Sequence, residues 1–134
     1  MRKKFTILIT DRNRYIREFL RREMMAEGYH IELAKNCKEV LQRIYNDDQP
    51  ELLIFDLDMP DGDGLELLKK LQLSVPTMPV IVHSFLSEFA IPSGLPGLIA
   101  FVEKGGNSIN SLKKVVLDVL QKTYPRPLEA TLQV

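Results

Sequence analysis

The chain has 134 residues, with 18 basic side chains balanced by 18 acidic ones; 45% of it is hydrophobic and 27% charged. That length fits one domain able to bury roughly two thirds of its unfolded surface, and no apolar run approaches the roughly 20 residues of a membrane span. The single cysteine, Cys37, excludes an internal disulfide and a thiolate metal cluster, and it fits a reducing, cytoplasmic setting.

Phe5 to Ile9 reads as a first strand, closed by the polar turn Thr10, Asp11, Arg12, Asn13. The basic residues before it (Arg2, Lys3, Lys4) do not make a secretory signal, because the apolar stretch is too short and no small-residue cleavage site follows. Tyr15, Ile16, Phe19, Leu20 and Met24 then recur at helical spacing, with Arg17, Arg21 and Arg22 on the opposite face and Gly28 as a natural C-cap. Ile31 to Ala34 is a short second strand. Asn36 and Glu39 are spaced as a capping box, and Val40, Leu41, Ile44 and Tyr45 give a second helix its apolar stripe. Leu52 to Phe55 is continuously apolar, as a strand covered on both faces of an α/β sheet should be. Asp56 stops that run, and the turn after it is crowded with carboxylates and glycines.

Leu65, Leu67, Leu68 and Leu71 place a third helix, ended by Ser74, Val75, Pro76, and Pro79 to Val82 is a fourth strand. Between Phe85 and Gly97 the residues Pro92, Gly94, Pro96 and Gly97 interrupt the pattern, so at most a short helix is expected. Leu98 to Val102 is a fifth strand and Gly105-Gly106 a turn. Leu112, Val115, Val116, Val119 and Leu120 define a last helix, and residues 125–134 are a tail loosely attached to the domain of residues 1–124. Five strands, each followed by a helix or a remnant of one, predict a doubly wound α/β fold with a parallel sheet.

Charge is unevenly spread. Residues 1–22 carry eight Arg or Lys, whereas residues 45–66 carry eight acids and no base. Without an aromatic-interleaved patch or a recognition motif, the basic arm does not argue for nucleic acid, and solvated helix faces explain it.

In an open parallel sheet the ligand crevice lies outside the carboxyl ends of the strands. The turns there collect Asp11 and Arg12, Asp56 and Asp58, Ser84, and Lys104. Clustered carboxylates suit a hard divalent cation such as Mg²⁺; a lysine and a hydroxyl suit an anion. Together they describe a site that handles a phosphoryl group by positioning and charge neutralisation.

ILITD (Ile7–Asp11), LLIFDLDMPDGDG (Leu52–Gly64), PVIVHS (Pro79–Ser84) and FVEKGG (Phe101–Gly106) resemble, in order and spacing, the receiver domain of two-component response regulators, over about residues 4–122. The resemblance implies a flavodoxin-like five-stranded sheet of order 2-1-3-4-5. It also implies that Asp56 accepts a phosphoryl group from a histidine kinase or phosphotransfer protein, with Asp11, Asp56 and the main-chain carbonyl of Asp58 holding Mg²⁺. Ser84 and Lys104 match the phosphoryl-contacting hydroxyl and lysine, and Phe101 matches the aromatic switch. Output would pass to a downstream protein partner or by relay of the phosphate, the chain being no enzyme itself, and the face that includes the irregular fourth helix is one through which such domains meet partners or a second copy.

This chain departs from the pattern at Arg12, which stands where the second acid of the family's pair would be and should weaken Mg²⁺ by removing an oxygen donor and adding repulsion. Arg12 can point to solvent, pair with Asp56, or leave the site unphosphorylated; the last outcome makes the chain a pseudo-receiver that acts only as a docking module. Phe85 occupies a usually small position, and Gly105 replaces a usual proline. General tendencies place Phe101 in the core, His83 half-buried in a strand, His30 on the surface and Cys37 half-buried in a helix. FDLD also resembles the nucleophile motif of haloacid dehalogenase-like phosphatases, in which Asp56 would attack phosphate and Asp58 serve as acid and base. That motif normally opens a chain and precedes a threonine, unlike the Met59-Pro60 found here. Pro60 also excludes an EF-hand reading of Asp58, Asp61 and Asp63, since it stands where that loop needs a ligand.

Overall fold

A computed structural model describes residues 4–89, 91 and 99–125. Five strands, β1 (Thr6–Thr10), β2 (His30–Ala34), β3 (Leu52–Phe55), β4 (Val80–Ser84) and β5 (Ile99–Glu103), form one sheet of order β2-β1-β3-β4-β5. Every pairing is parallel, with Ile7 opposite both Ile31 and Leu52, Leu53 opposite Val80, and Val82 opposite Phe101. The helices are α1 (Arg14–Ala26), α2 (Cys37–Ile44), α3 (Gly64–Ser74) and α4 (Ser108–Thr123). A single 3₁₀ turn, Leu86–Glu88, follows β4. The rest of the expected irregular region up to Gly97, and the tail beyond residue 125, lie outside the described residues.

Alternation along the strands sorts the core into two layers. Leu8, Leu53, Phe55 and Val82 face α2 and α3, where they meet Val40, Ile44, Leu68 and Leu71. Ile7, Ile9, Ile54 and Ile81 face the other way onto Leu20 and Met24 of α1 and Leu112, Val116 and Leu120 of α4. All four residues of β3 are buried, as the central strand of a doubly covered sheet must be.

The helix signals in the sequence translate into hydrogen bonds. Asn13 Oδ1 caps α1 by accepting from the main-chain nitrogens of Tyr15 and Ile16, and Gly28, at φ +95°, ends that helix in the left-handed region open to glycine. Asn36 Oδ1 accepts from Glu39 N at 2.9 Å. Glu39 reaches back one residue further than a capping box requires, to Lys35 N, also at 2.9 Å. β4 runs on to Ser84 and β5 to Glu103, so both strands extend past the predicted ends and carry their last residues to the rim of the sheet. Phe101 is 41% exposed and therefore not a core residue: it lies on edge strand β5, where no helix among the described residues covers it completely.

Candidate functional site

The parallel ladder brings the site together before any side chain acts. Asp56 N donates to Thr10 O, one step past the β1–β3 pairing, and Lys104 N donates to Ser84 O, one step past the β4–β5 pairing. Residues at or just past four adjacent strand ends therefore lie beside one another on one rim. The turn after β3 is tight enough that only glycine fits at its far end, because a Cβ on Gly64 would lie 2.1 Å from the carbonyl oxygen of Leu57.

Asp56 and Asp11 are almost fully buried, and Lys104 Nζ bridges them. The ammonium donates to Asp11 Oδ2 at 2.6 Å and to Asp56 Oδ2. Asp56 Oδ1 accepts from Ser84 Oγ and from Asp58 N, each at 2.9 Å, and Ser84 Oγ in turn accepts from Leu57 N at 2.7 Å. Asp11 Oδ1 accepts from Asn13 N at 2.9 Å. Each carboxylate thus has one oxygen held by neutral donors and one held by the shared lysine.

Burial raises the Asp11 pKa above its ordinary value, outweighing the hydrogen bonds from Lys104 and Asn13 that would lower it. Burial alone would lower the Lys104 pKa, but the hydrogen bonds to Asp11 and Asp56 outweigh it and hold the ammonium charged. The Phe85 ring lies 5.7 Å from that ammonium, so the bulky residue after Ser84 roofs the lysine. His83 is buried, with Nε2 3.2 Å from Ser108 Oγ; burial and the nearby Lys104 charge push it down to about 4, which keeps the ring neutral.

Arg12 does not pair with Asp56; its side chain finds a partner that was not anticipated. Its Nη1 lies 3.1 Å from Asp58 Oδ1 in a pair whose side chains are 50% and 55% exposed, on the rim of the pocket that holds Asp11, Asp56 and Lys104. Asp58's carboxylate is therefore turned to Arg12 and not gathered with the other two acids. Among the described residues no cluster of three His, Cys, Asp or Glu side chains could hold a metal ion. The side-chain donor set that remains is the pair Asp11 and Asp56. A cation that keeps most of its own waters fits two buried carboxylates sharing a single positive charge.

Two contributors escaped sequence reasoning. Arg17 Nη1 donates to the main-chain carbonyls of Asp11 at 2.7 Å and Arg12 at 3.1 Å, so α1 clamps the turn that carries both. Asp61 accepts from Cys37 N at 2.8 Å and Lys38 N at 3.2 Å, capping α2 from the loop after β3. Asp63 caps α3 in the same manner. The acidic run thus divides into Asp58, which holds Arg12, and two residues that hold helix ends. A lone arginine on a helix and a turn aspartate carry no pattern that marks such long-range contacts.

A parallel sheet of this order, with two acids, a hydroxyl and a lysine at its carboxyl rim, defines a doubly wound α/β domain with a charged site at its strand ends. Residues 7–119 match the family described as the response regulator receiver domain, and the chain belongs to that family. Among curated relatives, response regulator MprA of Mycolicibacterium vanbaalenii is 38% identical over 76 residues, which is 57% of this chain and 32% of that protein; the match spans about a third of the relative's length. Response regulator TrrA of Thermotoga maritima, solved in complex with Mg²⁺ and beryllofluoride, aligns with TM-score 0.77 and 29% identity over 87% of this chain and 99% of that one. The structure of histidine kinase ThkA in complex with TrrA gives TM-score 0.76 and 28% identity, covering 87% of this chain and 98% of the matched one. The flavodoxin-like fold, the strand order and the two-component assignment expected from the sequence all hold. No helix among the described residues is long and apolar enough to cross a membrane.

Proposed function

We propose that Asp56 is the phosphoacceptor of this receiver domain and takes its phosphoryl group from a phosphohistidine on a kinase or phosphotransfer protein. An Asp56 carboxylate oxygen forms the new P–O bond while the P–N bond breaks, and the departing imidazole takes a proton from solvent. Lys104 and Ser84 already bind the two oxygens of Asp56, and both sit where they can turn to the phosphoryl oxygens as charge accumulates there. That arrangement is the observation that carries the reading. Asp11, Asp56 and the carbonyl of Asp58 would hold Mg²⁺, which when bound supplies positive charge for the phosphoryl oxygens; Arg12 lowers its affinity because a cation stands where an oxygen donor would. The kinase complex of TrrA supports a histidine-kinase partner, and a receiver unit of residues 1–124 acting in the cytoplasm through a further protein, or a second copy of itself, completes the reading.

A docking module that is never phosphorylated is the second reading. One observation favours it: Lys104 already bridges both buried acids and Arg12 is already paired to Asp58, with no phosphate present. Incubation with phosphoramidate and Mg²⁺, followed by intact mass, separates the two. Phosphoryl transfer predicts one adduct in the native chain and none in Asp56→Asn. No adduct in either, alongside one in Arg12→Asp, establishes the docking module.

A further inference from the structure

Arg12 is a cation on the rim that takes no part in the proposed transfer. Its backbone is fixed, since Arg17 binds the carbonyls of Arg12 and Asp11, so any movement belongs to its side chain. That side chain makes a single half-exposed contact to one oxygen of Asp58, through one nitrogen of a guanidinium built for two-point contacts. Such a contact is weak and easily exchanged. Asp58, in turn, is the residue whose main-chain nitrogen touches Asp56 Oδ1 at 2.9 Å, so the guanidinium sits one residue from the phosphoacceptor and lines the same pocket.

Charge bookkeeping shows what the pocket lacks. Asp11 and Asp56 against Lys104 leave one negative charge, the Asp58–Arg12 pair adds none, and Glu88 on the lining adds another. Converting the Asp56 carboxylate to an acyl phosphate adds about one further negative charge to the same pocket. Lys104 is already committed to two acids, so a second cation is required close by, and Arg12 is the other basic residue that lines this pocket.

We propose that Arg12 is a phosphoryl-binding residue: on phosphorylation its guanidinium exchanges Asp58 for the phosphoryl oxygens on Asp56, so that the chain supplies from its own sequence a positive charge that makes phosphorylation partly independent of metal. Resting on the phosphoacceptor reading above, this assigns the replacement of an acid by arginine a chemical role. Planar, fixed-charge guanidinium matches two phosphoryl oxygens, which lysine's point charge does not.

The test uses the whole chain, freed of metal with EDTA and exposed to phosphoramidate, with adduct formation and decay followed by intact mass. Native protein acquires the adduct without metal, whereas Arg12→Gln acquires it at least about tenfold more slowly, the scale of one charge-assisted hydrogen bond lost; Arg12→Lys recovers only part. Since Arg12 is half exposed, Arg12→Gln leaves the melting temperature nearly unchanged, which excludes misfolding as the cause. Equal metal-free rates in native protein and Arg12→Gln overturn the proposal, as does an adduct that forms only when Mg²⁺ is restored. A chain that takes no phosphoryl group with or without Mg²⁺ overturns the phosphoacceptor reading as well, so the two failures are distinct.

Discussion

Replacing Lys104 with methionine keeps the bulk of the side chain and removes the cation that two buried carboxylates share. After the change Asp56 Oδ1 keeps Ser84 Oγ and Asp58 N, and Asp11 Oδ1 keeps Asn13 N, but both Oδ2 atoms lose their donor. Breaking a buried ion pair by removing one partner costs about 3–5 kcal/mol. The neutral donors that survive place this case at about 3 kcal/mol, or on the order of 10 °C in melting temperature for a domain of this size. The cost depends on pH with a definite sign. Burial already raises the Asp11 pKa and the lysine opposes that rise; without the lysine it rises further, so the loss is full at neutral pH and shrinks as pH falls and that carboxyl takes up a proton. Urea denaturation of both proteins at pH 7.5 and pH 5 measures it, with the gap expected to narrow at pH 5. A gap of the same size at both pH values would mean that packing alone was lost, and the electrostatic account of the bridge would fail.

Three other outcomes are expected. His83, held near 4, binds a proton less readily folded than unfolded; its contribution is therefore present above about pH 6.5 and lost as pH falls toward 4, on the order of 2 kcal/mol between pH 7 and pH 5. His83→Gln should flatten that part of the pH–stability curve, and an unchanged slope refutes the assignment. Gly64→Ala drives a methyl group into the Leu57 carbonyl and should destabilise by about 2 kcal/mol or more, so a variant within 0.5 kcal/mol of the native chain, roughly the scale of a neutral surface change, contradicts the packing of that turn. Burial first, then Asp61, pushes the Cys37 thiol up to about 11, so alkylation at pH 8 should be slow in the native chain and faster in Asp61→Asn; equal rates sink that explanation.

The fold was legible because hydrophobic runs and turn residues fix where strands stop, and parallel topology then fixes what meets at their ends. Asp11, Asp56 and Lys104 directly follow strand ends and Ser84 closes a fourth, and a reader of the sequence can place them on one rim without knowing a single rotamer. Arg12 was not legible. Its backbone position follows from the strand, but a long, half-exposed side chain chooses among partners that differ by little energy, and Asp58 was not among those foreseen. Asp61 and Arg17 were hidden for a related reason: one reaches from the loop after β3 to α2 and the other from a helix back to main-chain carbonyls, and neither contact leaves a periodic trace. Phe101 ran against the tendency for phenylalanine to be buried because β5 is an edge strand, which periodicity alone does not reveal.

The central claim is that Asp56 carries the phosphoryl group, and the most direct measurement traps it there. After phosphorylation by phosphoramidate in Mg²⁺, borohydride reduction converts an aspartyl phosphate to homoserine, and peptide mass spectrometry locates the change. The account predicts homoserine at position 56 and at no other acid. An unreduced Asp56, or homoserine at Asp11 or Asp58, contradicts it.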